Sequence, residues 1–295
     1  MIDVALKKPG RPVIGVAGAT GRTGSYLTSR LLNHSVHVVA LTRDPNPQRL
    51  PEGINRAVVD FDDPNTISKG LVGVDRLFLA QGTSPDQVRN EIAVIDAAVS
   101  AGVSHVVKVS AMGPPTRLHP FDWHMEIEAH LAKYDIGYTV LRASTFVDIL
   151  INRAAKAVVV GTWGGAAGDG RVNLIDTRDV ADVAFSALLD ERHLGTQRAY
   201  HLTGPRAVTM QDVADELTHL LGREVLYRQR TPSEQRQILI ASGTSEMVAD
   251  IMLGLDRIFH DSVLSETTDT VLQLTGRPPR SVESWLTENL SAFRS

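Results

Sequence analysis

One run constrains this chain more than any other: Val13-Ile14-Gly15-Val16-Ala17-Gly18-Ala19-Thr20-Gly21-Arg22-Thr23-Gly24. An apolar strand leads directly into glycines spaced G-x-x-G-x-x-G. Residues 23–33 then place Leu27, Leu31 and Leu32 at helical intervals. Glycines permit the tight turn and let a ligand approach the backbone closely. The helix that follows presents unpaired N–H groups and the positive end of its dipole. That combination suits a pyrophosphate, and its place in the first β–α unit points to a dinucleotide. Gly18, Gly21 and Gly24 are the expected backbone contacts, with hydroxyls from Thr20 and Thr23.

The pattern repeats downstream. Strands are expected at residues 12–17, 36–41, 56–60, 75–80, 105–110 and 138–141, with helices at 86–101 and 122–134. The first of these helices is expected to face the core through Val88, Ile92, Ile95 and Val99. Strands alternating with helices imply a parallel sheet covered on both faces, and right-handed crossovers make it doubly wound. The fold class is therefore α/β, a Rossmann-type doubly wound parallel sheet. Residues 1–150 form the dinucleotide-binding part. Residues 151–205 complete the sheet through strands at 171–175 and 199–202 and a helix at 177–190. Residues 206–295 make a smaller, mostly helical cap: helices at 209–221, 233–241, 246–259 and 281–293, with one added strand at 224–227.

Composition narrows the chemistry. The 295 residues include no cysteine, which removes disulfides, thiolate metal sites and thiol nucleophiles. A net charge of −4 gives no general pull toward nucleic acid or anionic membrane. No apolar stretch is long enough to span a bilayer and residues 1–12 lack a signal-like apolar core, so a cytoplasmic location is expected.

The second strand ends in Arg43, where an NAD site usually carries an acid for the ribose hydroxyls. Arg22 lies inside the glycine turn. Two guanidiniums suit a 2′-phosphate, so NADP(H) is favoured, with NAD(H) as the alternative. Asp60 and Phe61 close the third strand, where they can meet the adenine; a strand end followed by a helix cap at Asp62 or Asp63 is the competing reading.

At this point the chain resembles the atypical, NmrA-like branch of the short-chain dehydrogenase/reductase superfamily, which includes triphenylmethane, quinone and azo reductases. The likeness covers nearly the whole sequence. It rests on Gly18-Ala19-Thr20-Gly21-Arg22-Thr23-Gly24, Leu41-Thr42-Arg43-Asp44-Pro45, Val109-Ser110-Ala111 and Tyr138-Thr139-Val140-Leu141-Arg142. Ile175-Asp176-Thr177-Arg178-Asp179-Val180-Ala181, Leu202-Thr203-Gly204-Pro205 and Thr275-Gly276-Arg277-Pro278-Pro279 match as well. The resemblance implies further cofactor contacts at Ala80, Gln81, Gly82, Ser110, Ala111, Ser144, Thr145 and Phe146. It also implies a small-molecule substrate between the nicotinamide and the C-terminal helices. Some relatives act as dinucleotide-dependent regulators with a protein partner, and a homodimer is left open.

The resemblance also marks a departure. Such enzymes usually place Tyr-x-x-x-Lys on the helix after the fifth strand as a proton relay. With Glu128 as landmark, the lysine position falls on His124 and the tyrosine position on Pro120. Hydride transfer to an electron-poor acceptor does not need that relay. Ser110 and His124 are the candidate catalytic groups, with His124 titrating near neutrality as proton donor or touching the cofactor ribose. Met112, Phe121, Trp123, Phe146 and Trp163 are candidates for an apolar substrate wall, with plain core packing the alternative for each. His124 and Glu128 share a helix face, and a local pair between them competes with these roles. No third ligand is fixed by spacing, so no metal site is expected. Asp176, Thr177 and Asp179 are read as helix-start residues rather than catalytic ones.

Overall fold

The computed structural model describes residues 10–45, 50–113, 119–161 and 163–294. The sequence segment expected to lead into the first strand therefore lies, over residues 1–9, outside the described residues. The elements run β1 Val13–Ala17, α1 Arg22–Leu31, β2 His37–Thr42, β3 Asn55–Val58, α2 Pro64–Gly70, β4 Arg76–Leu79 and α3 Gln87–Ser100. They continue through β5 His105–Ala111, α4 Phe121–Leu131, β6 Gly137–Ala143, β7 Thr145–Phe146, α5 Lys156–Val159, β8 Gly164–Gly165, β9 Val172–Ile175, α6 Thr177–Leu189 and β10 Gln197–Leu202. The remainder comprises β11 Ala207–Val208, α7 Met210–Leu221, β12 Arg228–Gln229, α8 Pro232–Ala241, α9 Glu246–His260, α10 Thr270–Thr275 and α11 Val282–Glu288.

Seven strands form the main sheet in the order β10-β6-β5-β4-β1-β2-β3. β1 pairs in parallel with β2 on one side and β4 on the other, Ile14 lying opposite both Val38 and Arg76. The strand order reverses between β1 and β4. That is the switch point beyond which ligands of doubly wound sheets bind. Every residue of β1 is buried, as a strand covered on both faces requires.

The chain divides into two compact units. One takes Met1–Ala111, Asp122–Arg142 and Arg178–Tyr200. Its core joins Val39, Leu41, Ile67, Leu77, Leu79, Ile95, Val106, Ile127, Leu131 and Val140. Each such side chain contributes roughly 1.5–3 kcal/mol on burial. The other takes Met112–Phe121, Ala143–Thr177 and His201–Ser295. It holds the small sheet β11-β9-β7 and α7 to α11. Within it, Arg153 pairs with the buried Asp256. Trp163 stacks edge-on against Tyr227, whose phenol burial and Asp256 push up to about 12.

Three expectations shift. The strand expected at 224–227 forms instead at β12, parallel to β8, because Gly164 lets the backbone of Arg228 approach. A Cβ there would lie 2.3 Å from the Arg228 carbonyl oxygen. The expected last helix ends at Glu288 and resumes as a 3₁₀ turn over Leu290–Phe293, and the Asn289 side chain donates to the Trp285 carbonyl at the break. On α3 the buried face is Gln87, Asn90, Glu91, Val94, Ile95, Ala97 and Ala98, so Ile92 and Val99 sit only partly buried. That change places three polar residues inside.

Candidate active site

The glycine turn is fixed by backbone contacts. Gly18 has φ +87°, and a Cβ on it would lie 2.0 Å from the Ala80 carbonyl oxygen at the end of β4. A Cβ on Gly24 would come within 2.2 Å of the Gly18 oxygen. Gly21 caps α1 by its backbone alone. Gly21 offers no side-chain cap, and no acid lies in the first turn. The helix thus keeps its N-terminal N–H groups and dipole for an anion. Arg22 beside it and Arg43 beyond β2 are exposed, whereas Thr23 is buried. These features fit a dinucleotide pyrophosphate at the switch point, with Ala80, Gln81 and Gly82 following β4 on the neighbouring strand.

Asp60, Asp62 and Asp63 separate in role. Asp63 caps α2 by accepting from the Asn65 N–H at 3.1 Å. Asp62 pairs with Arg89 at 3.1 Å. The Asp60 carboxylate accepts from the Asp62 N–H at 3.0 Å, shaping the turn. Phe61 packs against the core.

Two side-chain networks occupy the β5–α4 side of the same unit. In the first, the Ser110 hydroxyl donates to Glu128, which Arg142 of β6 holds by bonds of 2.6 and 3.1 Å. The second centres on Lys108, which with Glu91 of α3 is fully buried. Lys108 Nζ lies 2.7 Å from Glu91 Oε2, 2.7 Å from the Val109 carbonyl oxygen and 3.3 Å from His124 Nδ1. Gln87 adds a 2.9 Å bond to Glu91 Oε1. Burial first, and then the Lys108 ammonium, hold His124 well below its usual pKa. The ring is therefore neutral at pH 7, and it does not titrate near neutrality as its type alone suggested. The partners found for His124 and Glu128 lie on β5 and β6, so the helix-face pair suggested by their spacing gives way to contacts with the sheet.

The remaining candidates lie in the other unit, apart from Trp123 on α4 and Ala111 at the end of β5. The Ser144 hydroxyl donates to the Asn173 carbonyl at 2.7 Å. Thr145 and Phe146 form β7 against Leu174 and Ile175. Met112 and Phe121 are buried, the Phe121 ring lying where a Gly113 Cβ would intrude. Trp163 is buried against Tyr227. Sequence reasoning did not single out Lys108, Glu91 and Arg142, which contact the candidates His124 and Glu128 directly or through one another. One signal for Lys108 was available: a charge in the middle of the apolar strand His105-Val106-Val107-Lys108-Val109.

A doubly wound sheet with an uncapped, glycine-lined helix start at its switch point defines a dinucleotide-binding protein. The sequence pattern of the NAD(P)H-binding family matches residues 18–191, and the chain belongs to that family. It is 32% identical over 285 residues to the NAD(P)H azoreductase of Xenophilus azovorans, covering 95% of this chain and 99% of the relative. It is 30% identical over 275 residues to quinone oxidoreductase 2 of Escherichia coli, covering 90% and 94% respectively. The crystal structure of an NADPH-dependent quinone oxidoreductase from Escherichia coli, in complex with NADPH, superposes with a TM-score of 0.86 at 28% identity, covering 94% of this chain and 99% of that one. Among the described residues no helix is long and apolar enough to cross a membrane.

Proposed function

We propose that this chain is an NADPH-dependent reductase of small, electron-poor conjugated acceptors of the quinone and azo type. The observation that carries this reading is the pairing of an intact dinucleotide turn with a β5–α4 region built around Lys108 and a neutral His124. At the positions inferred for a tyrosine–lysine relay the sequence carries Pro120 and His124. The azoreductase and quinone oxidoreductase relatives support the same substrate class. A quinone takes up a hydride and a proton and leaves as the hydroquinone; the reduced nicotinamide, when bound, supplies the hydride and leaves oxidised.

The chain's own residues then have separable tasks. Gly18, Gly21 and Gly24 admit the pyrophosphate to the α1 N-terminus. Arg22 and Arg43 select the 2′-phosphate by charge-assisted hydrogen bonds. Ser110 holds Glu128 in place and has little freedom to move a proton itself. His124, being neutral, offers an N–H to the acceptor oxygen and leaves the final proton to water. The test is loss of NADPH absorbance with a panel of quinones and azo dyes. Turnover with at least one acceptor is expected. NADPH binding with no turnover across the panel would overturn the reading in favour of a redox sensor.

A further inference from the structure

The Lys108 ammonium has three hydrogens and no lone pair. Its three neighbours are all able to accept: Glu91 Oε2 at 2.7 Å, the Val109 carbonyl at 2.7 Å and His124 Nδ1 at 3.3 Å. The Val109 carbonyl and His124 Nδ1 are its hydrogen-bond partners, whereas Glu91 Oε2 is an ion-pair partner without hydrogen-bond geometry. An ammonium cannot accept from an imidazole N–H, so Nδ1 of His124 must carry its lone pair and the ring proton must sit on Nε2. Glu91 is the ion-pair partner of that ammonium, and both groups are fully buried. Gln87 holds the other oxygen of that carboxylate.

We propose that Lys108 is a positioning residue that locks His124 as the neutral Nε2–H tautomer, so that His124 acts as a fixed hydrogen-bond donor to the acceptor's oxygen and not as an imidazolium acid. The donor half of this inference rests on the reductase reading above; the tautomer half does not. The groups facing the ring are Lys108 from β5 with Glu91 from α3 behind it. Glu128, one turn along α4, is engaged by Ser110 and Arg142. A proton added to His124 would have to displace the Lys108 hydrogen bond and sit beside a buried cation. Burial and Lys108 both oppose it. A neutral imidazole donating toward developing negative charge needs no change of charge during turnover, which keeps the site preorganised.

The test is ¹⁵N-edited NMR of the full-length chain, with His124→Asn used to pick out this ring among the ten histidines. His124 is expected as the neutral Nε2–H tautomer at neutral pH, and to stay neutral through the range where an ordinary imidazole takes up its proton. In Glu91→Gln/Lys108→Met, which removes both charges together and spares the fold a lone buried ion, the Nδ1–H form should appear and the ring should titrate closer to its ordinary range. An Nδ1–H ring or an imidazolium at neutral pH in the unaltered protein overturns the proposal, as does an unchanged ring in the double variant. Kinetics test the donor role. With a quinone acceptor, kcat in the unaltered protein should show no inflection from this group between about pH 6 and 8. The double variant should lose kcat on the order of tenfold to a hundredfold with the KM for NADPH within about twofold, and gain an inflection in that window. If the NMR result holds but neither His124→Asn nor the double variant changes kcat, the donor role falls. If no acceptor is turned over at all, the reductase reading has failed, and the NMR result alone decides what Lys108 does.

Discussion

Two regions of the same unit, both proposed to meet a ligand, are built in opposite ways. The β1–α1 turn is built from backbone: Gly18, Gly21 and Gly24 contribute shape and N–H groups. The β5–α4 region is built from side chains: Glu91, Lys108, His124, Ser110, Glu128 and Arg142 are held by one another. The first depends on what is absent, since a Cβ at Gly18 would meet Ala80 at 2.0 Å. The second depends on charges that must be matched inside the protein. Backbone sites tolerate nothing added. Side-chain sites tolerate nothing removed singly.

The sharpest way to break this comparison is Lys108→Met. Taking one partner from a buried ion pair costs about 3–5 kcal/mol, whereas removing both restores much of that. Urea unfolding of the single variant and of Glu91→Gln/Lys108→Met checks it, and equal losses in the two would mean the charges are not coupled. Next comes pH. Burial, together with His193 and Arg76, lowers the pKa of His105 on β5 to about 4. Unfolded, the same group sits near 6.5 and binds the proton more readily, so its stabilisation is complete above about pH 6.5 and is lost as pH falls toward 4. The difference amounts to about 3 kcal/mol. A pH series of unfolding free energies should show that slope, and His105→Asn should flatten it.

The backbone site is tested by addition. Gly18→Ala should cost about 1–3 kcal/mol of stability from the left-handed φ alone and should abolish NADPH binding by displacing the turn from β4. Gly82→Ala, where nothing lies within 4 Å of the added Cβ, should leave stability unchanged. Arg43→Ala should weaken NADPH by about 1.5–3 kcal/mol, roughly tenfold to a hundredfold, with a smaller loss for NADH. Equal losses for the two dinucleotides would remove the 2′-phosphate assignment. Asp63→Asn has the smallest expected effect, a few tenths of a kcal/mol, because asparagine caps α2 almost as well.

These differences also explain what could be read from the sequence. The backbone site was legible because its requirements are local. The glycines, the strand before them and the helix after them lie within 19 residues, from Val13 to Leu31, and the parallel order around β1 follows from alternation. The side-chain site was not legible for the opposite reason. Glu91, Lys108 and His124 come from three elements, and only the fold brings them together. The expected core stripe of α3, Val88, Ile92, Ile95 and Val99, left Glu91 unassigned, although at about 100° per residue it flanks that stripe, and its burial appears only in the fold. His124 looked like an ordinary titrating histidine because nothing near it in sequence announces the cation beneath it. The short strands β7, β8, β11 and β12 carry two residues each, too few for any periodicity.

The open start of α1 has a consequence beyond recognition. A helix whose first turn has no side-chain cap and no acid is finished only when an anion or water occupies it. A ligand that completes it binds the folded chain and not the unfolded one, and at a hundred times its dissociation constant it adds about 2.7 kcal/mol to stability. The dinucleotide is then part of what keeps the polypeptide folded. When its supply falls, the chain should become easier to unfold and to degrade, so the amount of this protein in a cell would follow the reducing cofactor it uses.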